Sequence, residues 1–173
     1  IKGYCLIDYK EDNITISEDQ ADTKQENLRV KEYQEWLNYW YGTLLKKYCG
    51  SILTLDGQYG SRTRKASLTV WKDVVNRLYG GKLSLDGELF DSECMNTARI
   101  IVLSFGSSGT LTAIAEGIMA AEGMYFGNID AQFGTEMEKS TKAFQMKYGL
   151  DPDGEVGKET WTALFGIMGN KTD

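Results

Sequence analysis

Histidine is missing from all 173 residues. That absence removes the usual general base, the commonest zinc ligand and both the Ser-His and Cys-His pairs of nucleophilic catalysis. Cysteine is scarce: Cys5, Cys49 and Cys94 are odd in number and irregular in spacing, which supports neither a disulfide framework nor a paired zinc motif. They read as small thiols, and neither metal nor cofactor is expected. No apolar run approaches the roughly 18 residues that a membrane span needs. The chain starts at Ile1 without the charged and apolar stretches of a signal peptide, so it reads as a soluble fragment or processed product with no membrane partner. Positive charge is also short. Of the net −6, residues 1–27 hold three Lys against seven Asp and Glu, which leaves a nearly neutral body of 16 basic and 18 acidic residues. Nucleic-acid binding rests on a basic face that releases counterions, so DNA and RNA are not expected partners.

What the chain does have is a phrase written four times: Asp56-Gly57-Gln58-Tyr59-Gly60, Asp86-Gly87-Glu88-Leu89-Phe90, Asp130-Ala131-Gln132-Phe133-Gly134 and Asp153-Gly154-Glu155-Val156-Gly157. Each precedes a helical pattern, so one loop-plus-helix unit is reused. Asp-Gly turns the chain because the carboxylate can bond nearby N–H groups while Gly accepts positive φ. Asp56, Gly57, Asp86, Gly87, Asp130, Asp153 and Gly154 are therefore assigned to the turns themselves. Ser61, Asp91, Thr135 and Lys158 stand where the following helices should begin, and Thr135-Glu136-Met137-Glu138 has capping-box spacing.

Along the chain, Gly3 to Ile16 alternates apolar and polar residues about Asp12-Asn13, as a short β-hairpin would. Ser17 to Asn27 is polar and acidic and reads as a linker. From residue 28 helical periodicity dominates. Val30, Tyr33, Leu37 and Trp40 form one stripe of a helix over about 29–41, and residues 43–54 read as a connection. Ala66, Val70, Val74 and Leu78, flanked by Ser67, Trp71 and Val75, mark a helix over about 62–79 that Gly80-Gly81 ends. Further helices are expected over 92–103, from Leu111 to a stop at Gly123, over 135–148, and at Trp161, Leu164 and Phe165 before Gly166. The fold class is all-α, and a parallel sheet has no support.

Residues 111–166 carry a specific order of signals: an apolar helix, Gly123-Met124-Tyr125-Phe126-Gly127, the third phrase, Ala143-Phe144-Gln145, Tyr148-Gly149-Leu150, the fourth phrase, Thr160-Trp161 and Ala163-Leu164-Phe165-Gly166. This order resembles the peptidoglycan-binding domain found beside bacterial and phage cell-wall hydrolases, a small three-helix module. Residues 30–105 look like a divergent second copy, with Val30 to Asn38 similar to the family's first helix and Leu55 to Thr63 to its loop and second helix. The resemblance implies tandem modules sharing the long helix, over 28–106 and 107–173, behind an arm and linker over 1–27. Leu89-Phe90-Asp91, Ala131, and the absence of Pro after the turns at Ser61, Thr135 and Lys158 depart from the family pattern.

The same resemblance implies a non-catalytic module that binds bacterial peptidoglycan and targets an upstream catalytic domain, such as that of an endolysin or autolysin, to a Gram-positive envelope. Secretion or phage delivery would bring it there. Ligand contacts are assigned to Gln58, Tyr59, Arg62, Thr63, Tyr125, Gln132, Phe133 and Thr135. Tyr39, Tyr41, Tyr125 and Trp36 fall off the apolar stripes, and a part-exposed aromatic offers flat apolar area for a glycan or peptide. Catalysis by an Asp pair would need carboxylates roughly 5–9.5 Å apart across a sugar, and nothing here brings two together. An EF-hand fails as well, since Gly154 at the sixth position puts Gly149 first and Thr160 twelfth. Two alternatives stand beside targeting: an oligomerisation or regulatory module, and a wall hydrolase in its own right.

Overall fold

A computed structural model describes residues 18–167, with side chains described for 28–166, and over that range the chain is helical. The elements are α1 (Glu18–Cys49), α2 (Ser61–Tyr79), α3 (Ser92–Thr97) continued by a 3-10 turn at Ala98–Ile100, α4 (Thr110–Ala121), α5 (Thr135–Lys147) and α6 (Lys158–Ile167). Strand pairing among the described residues is limited to two isolated bridges, Leu103 with Val156 and Ser108 with Gln132. The expected hairpin lies outside the described residues. No helix of the described residues is long and apolar enough to cross a membrane.

Several boundaries differ from the sequence reading for local reasons. α1 begins inside the acidic stretch read as a linker and runs through residues 43–49, read as a connection. Residues 18–27 contain neither Gly nor Pro, and polarity alone does not forbid a helix. Gly42 costs about 1 kcal/mol relative to Ala in a helix, yet the helix continues through it because Leu45, in the next turn, is fully buried. The stop comes at Gly50, with φ +83°. Thr135 makes no capping box: Gly134 is the extended N-cap, so the Thr135 hydroxyl sits one position too late. Asp91 does cap its helix, accepting from Cys94 N at 3.0 Å. The expected helix over 92–103 stops early because Leu103 turns away to exchange two backbone hydrogen bonds with Val156. At the C-terminal end α6 passes through Gly166 instead of ending there.

One continuous core joins all six helices. Trp71 on α2 is its hub, meeting Phe90 at 5.0 Å, Trp161 at 5.9 Å and Phe165 at 6.0 Å between ring centroids. The second phrase thereby supplies Phe90 to a cluster built mainly by α2 and α6. Two residues of the predicted stripes are not core, as Trp40 is 64% and Leu78 66% exposed. α1 is 32 residues long and α4, which packs on it, 12. At 1.5 Å per residue α4 covers only about 18 Å of a helix of about 48 Å; Val30, Tyr33 and Leu37 are buried, whereas Trp40, beside the start of α4 at Thr110, is not.

The α1–α4 contact is closest at Gly117, where an added Cβ would stand 2.4 Å from the Tyr33 ring. Tyr33 is itself held, with its hydroxyl donating to Ser67 Oγ at 2.9 Å. Gly117→Ala is expected to lower unfolding stability by about 3 kcal/mol, since neither ring nor helix has room to move. Urea denaturation measures this, and an unchanged midpoint would mean that the two helices do not pack this closely.

Candidate functional site

The first and fourth turns are built identically, each around a buried glutamine. Asp56 Oδ1 accepts from Gln58 N at 2.9 Å, while Gln34 on α1 donates its amide to Asp56 Oδ1 at 2.8 Å, Gln58 O at 3.0 Å and Thr63 Oγ1 at 3.1 Å, and accepts from Gly57 N at 2.9 Å. Gln145 on α5 repeats every bond with Asp153 Oδ1, Glu155 O, Thr160 Oγ1 and Gly154 N at 2.8, 2.9, 3.1 and 2.9 Å. The Gln34 amide and then the Gln58 N–H hold the Asp56 carboxyl below its ordinary range. These carboxylates hold their own turns, with neighbouring N–H groups as partners.

The second and third turns put an ionisable residue where the others have Gln. Lys72, 1% exposed on α2, donates to Gly87 O at 3.0 Å. Glu116, fully buried on α4, accepts from Ala131 N at 3.0 Å, and Asp130 Oδ1 accepts from Gln132 N at 2.9 Å. Ala131 takes φ +60°, the left-handed region that the glycines of the first and fourth turns occupy at +70° and +82°. Burial pushes the Glu116 carboxyl up to about 8, opposed by the Ala131 N–H.

The eight residues assigned to ligand contact divide by burial. Thr63 belongs to the first clamp, Phe133 and Tyr125 are core at 2% and 4% exposure, and Tyr125 donates to Asn128 O at 2.8 Å. Tyr59 is half-buried, stacked on Tyr33 at 6.4 Å, and burial raises its hydroxyl well above the ordinary value. Gln58, Arg62, Gln132 and Thr135 are exposed. Arg62 donates to Ser51 Oγ and borders a cleft of about 390 Å³ with Arg64, Lys65 and Glu88.

A larger groove, of about 520 Å³, opens between α1, α2 and the third turn, walled by Trp36, Trp40, Tyr41, Arg77, Thr110 and Asp130. Trp36 and Tyr41 lie 5.8 Å apart with tilted rings, and Tyr41 Oη pairs with Thr110 Oγ1 at 2.7 Å, which fixes the floor. Tyr39 and Trp40 meet edge to face at 4.9 Å. Arg77 Nε donates to Asp73 at 2.9 Å, so the guanidinium is oriented along α2. Two neighbouring clefts share Tyr41 with it. Flat rings with fixed polar groups between them can stack on sugar faces and bond hydroxyls or amides.

The third turn, one wall of this groove, lies in a segment with a recognisable family signature. Residues 116–164 match the model of the family described as "Putative peptidoglycan binding domain". No curated protein and no solved structure matches the chain. The matched segment runs from Glu116 through the third and fourth turns to Leu164, and so contains Asp130 and the Gln145 clamp, as well as Tyr125, Gln132, Phe133 and Thr135. Trp36, Trp40, Tyr41 and Arg77 lie outside it. Sequence reasoning singled out Trp36 and Tyr41 but placed Trp40 in the core and passed over Arg77 and Thr110. The available signal was the run Tyr39-Trp40-Tyr41: consecutive helix positions are about 100° apart, so three such rings cannot share one buried face. Among the described residues no group of three or more Cys, Asp or Glu is arranged to hold a metal ion.

Proposed function

We propose that the chain is a non-catalytic peptidoglycan-binding module that holds a cell-wall lytic enzyme against a Gram-positive envelope, and that the Trp36–Trp40–Tyr41 groove is where the wall polymer lies. The observation that carries this reading is the family match over 116–164, whose Asp130 and Ala131 border an exposed aromatic groove. We read the helices as two three-helix units, α1 to α3 and α4 to α6, each with one glutamine clamp and one ionisable clamp. Three helices on each side make a shared helix unnecessary, while the boundary near 106 is kept. The groove then lies between the units, and Gln58, Arg62, Gln132 and Thr135 supply polar contacts from the exposed turns around it. Secretion or phage delivery and an upstream catalytic domain complete the reading.

Sedimentation with purified, protein-free cell walls tests it. The chain is expected in the pellet, and Trp36→Ala/Trp40→Ala is expected to reduce retention by at least about tenfold, because each stacked ring contributes on the order of 1 kcal/mol or more. A chain that stays in the supernatant as a dimer would instead support an assembly role, and solubilised wall would reveal a hydrolase.

A further inference from the structure

We propose that Glu116 is a protonated positioning residue, whose Oε1–H donates to the Asp130 carboxylate and so does in the third turn what the amides of Gln34 and Gln145 do in the first and fourth. The third turn repeats two bonds of the glutamine clamps and lacks their hydroxyl, with Met137 standing where Thr63 and Thr160 do. Glu116 Oε2 accepts from Ala131 N at 3.0 Å, as Gln34 Oε1 accepts from Gly57 N and Gln145 Oε1 from Gly154 N, both at 2.9 Å. Asp130 Oδ1 accepts from the N–H two residues on, as Asp56 and Asp153 do. In the glutamine clamps the remaining side-chain atom is an amide nitrogen that donates to the Asp. In Glu116 it is Oε1, buried and without a hydrogen-bond partner, while the Asp130 side chain and the Tyr125 hydroxyl both act on the carboxyl.

Two ionised carboxylates have only acceptors to offer each other, so the pair closes only around a proton. Burial raises the Glu116 carboxyl to about 8, and Asp130 pushes it in the same direction. The other titratable groups facing it are Tyr33 on α1 and Tyr125 on the loop after α4, with Glu136 at the start of α5 acting on Tyr125 in turn. A carboxyl raised above its unfolded value stabilises fully below about 4.5 and loses that contribution as pH rises through about 8. With no histidine in the chain, this window holds no ordinary imidazole titration to obscure it. Since Asp130 and Ala131 border the groove, ionising Glu116 loosens one of its walls.

Carboxyl NMR titration of the intact chain, with thermal unfolding from pH 5 to pH 9, tests the proposal. The Glu116 signal is expected to titrate near 8, and Tm to fall by about 5 °C or more across the range, while Glu116→Gln keeps the clamp and removes the fall. A Glu116 midpoint at the ordinary value near 4.5, or a Glu116→Gln variant that falls as the parent does, would overturn it. Wall retention gives a second readout that rests on the proposed function: it is expected to weaken from pH 6 to pH 8.5 in the parent and to stay constant in Glu116→Gln. Equal pH dependence in both overturns the coupling to the groove. A chain that never sediments sinks the wall reading and leaves the NMR midpoint to judge Glu116.

Discussion

Trp71→Ala is expected to lower stability by about 4 kcal/mol, the range found when a fully buried aromatic is removed from a core. The ring is 0% exposed and is the group through which Phe90, Trp161 and Phe165 reach α2, so the cavity would open at the junction of three separate segments. Collapse around it is limited because Phe90 and Phe165 are already stacked on each other at 4.9 Å. Trp71→Phe should cost less than half as much. It keeps most of the contacts and removes an indole N–H that has no hydrogen-bond partner in the core. Chemical denaturation of both variants checks this, and a single cooperative transition should persist in Trp71→Phe because the core is continuous.

The second large effect is expected at Gln145. Gln145→Leu would strand the buried Gly154 N–H and remove the donors now used by Asp153 and Glu155 O. Leaving a buried donor unpaired costs about 1–3 kcal/mol, so a total of about 3 kcal/mol is expected, with the fourth turn losing amide-exchange protection first. Gln34→Leu should behave alike in the first turn, which has the same set of bonds. Gln145→Glu is the informative companion. It would recreate the Glu116 arrangement in the fourth turn and should be tolerated near pH 5 and destabilised by pH 8. Equal stability of Gln145→Leu and the parent would show that the clamp does not hold the turn.

Helix content, the four turns and most of the core were legible because they follow from local rules. Asp-Gly sets the turn, four-residue spacing sets the α2 face, and Gly80, Gly123 and Gly149 take the positive φ that stops a helix. The clamps were not legible, because Gln34 lies 22 residues before Asp56 and Gln145 only 8 before Asp153, and no local pattern links them. The groove was half legible. Trp36 and Tyr41 stood off the stripe, but the exposure of Trp40 depends on where α4 begins, and the roles of Arg77 and Thr110 depend on how α2 and α4 meet α1. Phe133 and Thr63 were among the residues assigned to ligand contact; the structure places Phe133 in the core and Thr63 in the Gln34 clamp.

Four tryptophans make the central claim directly measurable. Trp36 and Trp40 wall the groove, whereas Trp71 and Trp161 are 0% exposed in the core. In a two-dimensional 1H–15N titration with soluble peptidoglycan fragments, the indole signals of Trp36 and Trp40 should shift together with the backbone signals of Thr110 and Ala131, while those of Trp71 and Trp161 stay in place. Saturating fragments that leave the Trp36 and Trp40 indoles unmoved, or that shift only residues around Arg62 and Glu88, would contradict the assignment of the groove as the wall-binding site.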